Sequence, residues 1–259
     1  MNEISEVLKG AGKVIESIPD VYDDSIKNTV QESGKTLALI PKTINAALVP
    51  LRKWIVEREF NFAETEKILA IKLEKIEESK IITPEAYVAV PALNAISYSL
   101  DSEELRNLYA NLLAKSMNID TKEFVHPSFV EIIRQLSPVD AHVFRLIYEE
   151  EVTPLIDLSI SMESGGSNNQ IYNLSWITLY SYELVSISID NLLRLGLIEI
   201  PYGVNYTMKE HYSVVRCTDS YIEKKALLEA LNLGKVHENE KYIKKTTLAT
   251  SFYRICVLD

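Results

Sequence analysis

His126 and Ser128 stand two residues apart, close enough for an imidazole to take the proton of a hydroxyl nucleophile. No glycine elbow surrounds Ser128 to present its oxygen, so the pair reads as a capping element rather than a hydrolase centre. The four histidines, His126, His142, His211 and His237, are never three or four residues apart, which leaves no local metal pair. Helical toxin RNases often carry an Arg and a His four to six residues apart on one helix; here His142 follows Arg134 by eight, with Pro138 starting a new helix between them. There is no GxxxxGKS/T phosphate loop and no GxGxxG turn, and Gly165-Gly166 lies among Ser and Asn. The expectation is a chain that is not an enzyme and holds no cofactor and no metal.

The elements that carry these residues are helix starts. Pro127 suits a first helical turn, and Val130, Ile133 and Arg134 follow at helical spacing. Ser137-Pro138-Val139-Asp140 repeats the device, with Ser137 as N-cap, Pro138 at the first helical position and Asp140 closing a capping box. His126, Pro127, Ser128, Phe129, Glu131, Arg134, Gln135 and Ser137 therefore form a junction motif, structural first and a candidate functional site second. It divides a helical arm (1–50), a helical bundle (51–136) and a winged-helix-like unit (137–259).

Before the junction, a long helix starts at Leu51, with Ile55, Phe62, Leu69, Leu73 and Ile76 on one face. Thr83-Pro84-Glu85 opens another, kinked or restarted at Pro91. A third opens at Asp101-Ser102-Glu103-Glu104 and buries Leu105, Leu108, Tyr109, Leu112 and Leu113. Short loops favour antiparallel packing of these helices. After the junction the sequence predicts a helix over 141–149, a polar loop over 159–169 and a helix over 181–195 stopped by Gly196. A hairpin should follow, with strands at Ile198–Ile200 and Tyr212–Cys217 about a turn at 202–205, then a last helix over 246–256. The fold class is mainly α with a small β-hairpin.

The net charge of −10 is uneven: residues 126–200 hold 3 basic and 10 acidic side chains, whereas 201–259 hold 9 and 7. A surface that neutralises phosphates needs the reverse. The helix over 181–195 offers Glu183, Asp190 and Asn191 beside Arg194 alone, which disfavours nucleic-acid contact and would leave it to Lys209, Arg216, Lys241, Lys244 and Lys245. An acidic winged helix better suits protein docking. Cys217 and Cys256 lack CxxC spacing, and the acidic start MNEISEVLKG is unlike a secretory signal, which together point to the cytoplasm. Leu37–Val49 is the most apolar stretch of the arm; Lys42, Thr43 and Asn45 interrupt it, so it is too short to span a bilayer but could lie on a membrane surface, peripheral to the inner face.

The run Glu104-Leu105-Arg106-Asn107-Leu108-Tyr109-Ala110-Asn111-Leu112-Leu113-Ala114, followed by His126 to Pro138, resembles the abortive-infection alpha family of bacterial phage-defence proteins. The LLRLGLI turn and the closing T-x-L-A-x-x-F helix are similar too, with Ala249 where a glycine is expected. The resemblance extends from about Leu51 to the end. It implies a cytoplasmic bacterial protein that limits phage propagation by harming or arresting the infected cell, and it supplies no catalytic residue set. Three functions follow as expectations: an interaction protein, oligomeric and bound to a protein partner or phage component; a membrane-directed toxic effector using the arm; and a winged-helix DNA-binding regulator.

Overall fold

A computed structural model describes residues 62–96, 102–161 and 167–258. The arm over 1–50, the apolar stretch Leu37–Val49, the start of the helix at Leu51 and Gly165-Gly166 lie outside the described residues.

Nine α-helices and five strands occur among the described residues, and the protein is mainly helical with small antiparallel sheets. The first five helices are α1 (Phe62–Leu73), α2 (Ala86–Ile96), α3 (Glu103–Ser116), α4 (Ser128–Arg134) and α5 (Pro138–Glu149). Strands β1 (Pro154–Ser161) and β2 (Ser167–Leu174) follow, then α6 (Tyr182–Arg194) and β3 (Ile198–Glu199). The chain ends with α7 (Ser213–Arg216), α8 (Asp219–Ala230), β4 (Lys235–Tyr242), β5 (Lys244–Lys245) and α9 (Thr247–Phe252), which continues as a π-turn over Tyr253–Val257.

Local chemistry sets the helix ends. Ser102 Oγ accepts from Leu105 N at 3.3 Å, and Glu103 and Glu104 lie where the helix dipole favours acids. At the end of α6, Gly196 takes φ +71°. Its N–H reaches Leu193 O, and Leu197 N reaches Leu192 O, each at 3.0 Å, so the last carbonyls are satisfied in a Schellman turn. Helix α2 runs through Pro91 without a break; burial of Val88, Ala89, Ala92, Ala95 and Ile96 outweighs the lost hydrogen bond.

One apolar cluster joins α1–α6 to α9 and its π-turn, with Leu112, Leu113, Phe129, Phe144 and Phe252 at its centre. It is continuous across Leu136 and Ser137. Phe252 meets Phe129 edge-on at 5.7 Å and Phe144 at 5.5 Å. The buried Asn111 donates from Nδ2 to Cys256 O at 2.9 Å and so satisfies a carbonyl freed by the π-turn.

A second cluster covers one face of the sheet β2-β1-β4: Ile156, Leu158 and Ile160 of β1 pack with Tyr212, Val215 and Tyr221. The central strand β1 is buried on both faces. The opposite face carries Leu155, Asp157 and Ser159, in register with Lys241, Asn239 and His237 of β4.

Two expectations are corrected here. The loop placed over 159–169 contains the end of β1 and the start of β2, with Ser159 paired to Asn169 and to His237; two flanking ladders satisfy the backbone whatever the polarity of the side chains. The returning strand placed at Tyr212–Cys217 is helical: a 3-10 turn over Lys209–Tyr212 and then α7. Tyr212 and Val215, three apart, are wholly buried while Val214 is exposed, which is a helical and not an alternating pattern. The strand that pairs with β3 is β5, through Ile198–Lys245 and Glu199–Lys244. The turn at Tyr202-Gly203 and the final helix stand where the sequence placed them.

Candidate functional site

The junction motif is a set of internal ties. His126 Nδ1 accepts from Ser128 N at 3.1 Å and lies 2.7 Å from Ser128 Oγ, so the imidazole caps the first turn of α4. With the backbone N–H aimed at Nδ1, that nitrogen is the acceptor and the ring proton sits on Nε2. Phe129 is buried between α4 and α9. Arg134 Nη2 pairs with Glu131 Oε2 at 2.5 Å on the exposed face of α4.

The capping box at Ser137 is formed: Asp140 N donates to Ser137 Oγ at 3.1 Å and Ser137 N to Asp140 Oδ2 at 2.8 Å. Helix α6 docks onto it. Asn191 Nδ2 lies 2.9 Å from both Gln135 O and Asp140 Oδ2. Asn191 Oδ1 accepts from Arg194 Nε and Nη2 at 3.1 and 2.7 Å, and Arg194 Nη1 reaches Gln135 Oε1 at 2.9 Å. Gln135 Nε2 in turn donates to Glu131 O at 3.0 Å. Glu131, Gln135, Ser137 and Asp140 therefore meet Asn191 and Arg194 in one polar latch between α4, α5 and α6. The sequence singled out the first three and read Asn191 and Arg194 only as faces of a recognition helix.

The five cations considered for phosphate contact all have partners. Lys209 pairs with Glu240, and Arg216 reaches Glu238 Oε2 at 2.8 Å and Glu240 Oε1 at 2.6 Å. Lys244 pairs with Glu199 at 3.2 Å, and Lys245 donates to Tyr148 O and Glu150 O at 2.7 and 2.6 Å, at the C-terminal end of α5. Burial opposes the charge on Arg216, but its bonds to Glu238 and Glu240 outweigh that and hold its pKa above the ordinary value. Glu238 mirrors it: burial would raise its carboxyl, yet bonds from Tyr221, Arg216 and Lys225 hold it below the usual carboxylate range.

The fifth, Lys241, reaches Asp157 Oδ2 at 2.7 Å, with side chains 18% and 3% exposed respectively. Asp157 Oδ1 accepts from Asn173 N at 2.9 Å, and Asn173 takes the left-handed conformation at φ +58°. Its buried side chain bridges to α6, Nδ2 donating to Asp190 Oδ1 at 2.9 Å. This chain of contacts floors an open cleft of about 530 Å³ between β2 and α6. A lone acid inside the apolar run LIDLSI was the available signal for it.

The remaining histidines stand apart from one another: His142 Nδ1 lies 2.8 Å from Tyr180 OH, and His211 packs edge-on against Tyr206. No group of three His, Cys, Asp or Glu side chains among the described residues is placed to hold a metal ion. No helix among the described residues is long and apolar enough to cross a membrane.

These features define a mainly helical protein whose motif side chains tie helices together. The family model of abortive infection alpha matches residues 57–256, and the chain belongs to that family. The membership carries a role in abortive infection, a defence against phage. No curated protein matches the chain. A solved structure of an uncharacterized protein from the hydrocarbon-degrading marine bacterium Alcanivorax borkumensis SK2 aligns with 54% of this chain and 96% of that one. Its identity is 11% and its TM-score 0.35.

Proposed function

We propose that the protein acts in phage defence from the cytoplasm by binding another protein, of host or phage origin, without a reaction of its own. The observation that carries this reading is where apolar surface remains uncovered. Of the eighteen large apolar side chains exposed among the described residues, thirteen fall between Tyr172 and Leu233, the part that contains α6, the 201–208 loop and α8. Scattered exposure is ordinary, so the reading rests on the concentration of these side chains in one segment of the chain. We read α6 with β3 and β5 as a winged-helix-like docking unit, and not as a DNA reader, because Lys209, Arg216, Lys241 and Lys244 are all paired with acids.

The test pairs two measurements. Purified full-length chain is incubated with RNA, DNA, NAD and ATP, and cells expressing His126→Ala are challenged with phage. No turnover and retained protection are expected, because His126 serves as a helix cap. Turnover of any of the four that disappears in His126→Ala would overturn the reading.

A further inference from the structure

We propose that the cleft between β2 and α6 is a docking groove for a cationic side chain, arginine or lysine, flanked by apolar residues on a partner protein; this rests on the interaction reading above. Tyr182, Ser186, Asp190 and Leu193 line it from one side of α6, at spacings of four, four and three. Tyr172 and Asn173 of β2 form the facing wall, and Ile200 closes it. Over the twelve residues from Tyr182 to Leu193 the helix rises about 16 Å, the length of about five residues of extended chain.

The charge of the groove selects its occupant. Lys241 is neutralised by the buried Asp157, so the acid left over is Asp190. Among the described residues Asp190 takes a hydrogen bond from Asn173 Nδ2 and no ion pair. The neighbouring acid of α6, Glu183, is already paired with Lys224 at 2.8 Å, which holds its carboxyl below the ordinary value. Asp190 thus offers an exposed, oriented carboxylate beside Tyr172 and Leu193, which are 48% and 42% exposed.

That combination fits an arginine or lysine: the carboxylate takes the head group, the apolar wall takes the aliphatic stem, and the Tyr172 ring can face a guanidinium. Asn173 is the positioning residue. Its left-handed backbone is held by Asp157 while its side chain holds Asp190, so the buried ion pair and the exposed acid are mechanically joined.

The probe is a blocked pentapeptide, acetyl-LLRLL-amide, titrated into isotope-labelled full-length protein and followed by amide shifts in NMR. A matched peptide with citrulline in place of arginine keeps the shape and removes the charge. Shifts at Asn173, Ser186, Leu193 and Ile200 are expected with the arginine peptide, and at least tenfold weaker binding with the citrulline peptide or with Asp190→Asn. Asp190→Asn, being an exposed change, should leave the melting temperature unaltered. Equal affinity for the two peptides, indifference to Asp190→Asn, or groove shifts that respond to protein dilution without peptide, as a second copy would produce, overturns the proposal. Probe binding lost in Asp190→Asn with phage protection intact also overturns it, and leaves the interaction reading, tested by turnover and His126→Ala, untouched.

Discussion

Replacing Asn191 with alanine probes the latch that fixes α6 against the junction. The amide donates to Gln135 O and to Asp140 Oδ2, each at 2.9 Å, and its oxygen accepts twice from Arg194. Arg194 is exposed, so water replaces its lost acceptor at little cost. Asp140 is 5% exposed, so water is poorly placed to replace its lost donor, and only Ser137 N is left on Oδ2. Two such bonds, one to a carboxylate, amount to about 2–3 kcal/mol, which for a domain of this size lowers Tm by about 5–10 °C. Asn191→Asp removes the same donor and sets a second carboxylate at hydrogen-bond distance from Asp140, so it should destabilise more than alanine does. Thermal melts followed by circular dichroism give both numbers. A Tm within 1–2 °C of the parent for Asn191→Ala, about the shift expected from a neutral surface change, would refute the latch.

Gly234 immediately precedes β4 at φ +152°, where an added Cβ would lie 1.9 Å from Ser161 O; Gly234→Ala should cost at least about 2 kcal/mol in urea unfolding, because the collision is with backbone. Asn111→Leu leaves Cys256 O buried without its donor and should cost about 1–3 kcal/mol, with faster hydrogen exchange concentrated in the 253–258 turn. Glu238 is held below the usual carboxylate range in the fold, so its contribution is complete above the unfolded carboxyl pKa and is lost as pH falls through the folded one. Glu238→Gln should therefore lower stability at neutral and alkaline pH and flatten the acid side of a stability-against-pH curve, the difference from the parent vanishing as pH falls through the folded pKa. Burial pushes the Cys256 thiol up, whereas Cys217 is exposed, so a thiol reagent should label one cysteine in the folded protein and both in denaturant.

Legibility in the sequence followed range of interaction. The ends of α3, α5 and α6 are local chemistry, a Ser cap or a Gly stop within a turn of the residues it serves, and each was readable from Ser102, Ser137, Ser181 and Gly196. The sheet was not. Strand β1 pairs with β4 across more than seventy residues, and KVHENEKY looks like a solvated run until Glu238 and Glu240 meet Arg216, Lys209 and Tyr221 from the helices above it. Tyr212–Cys217 misled because β-branched and aromatic residues suggest a strand, while burial of Tyr212 with Val215 required a helical turn. The junction motif was found from its own residues, but its partners Asn191 and Arg194 lie more than fifty residues away, and nothing in their local pattern distinguishes a latch from an exposed helix face. The cleft needed the left-handed Asn173 between Asp157 and Asp190, a geometry that no spacing announces.

Contact through the outer face of α6, in place of chemistry at the junction, is best tested by the plating efficiency of phage on cells expressing Ile187→Glu. Ile187 is 64% exposed on that helix, so the change leaves the core intact and adds a charge only to the proposed contact surface. Restored plating, with the protein present at normal level and Tm, is the expected result. Full protection in Ile187→Glu, together with its loss in His126→Ala at normal Tm, would contradict it.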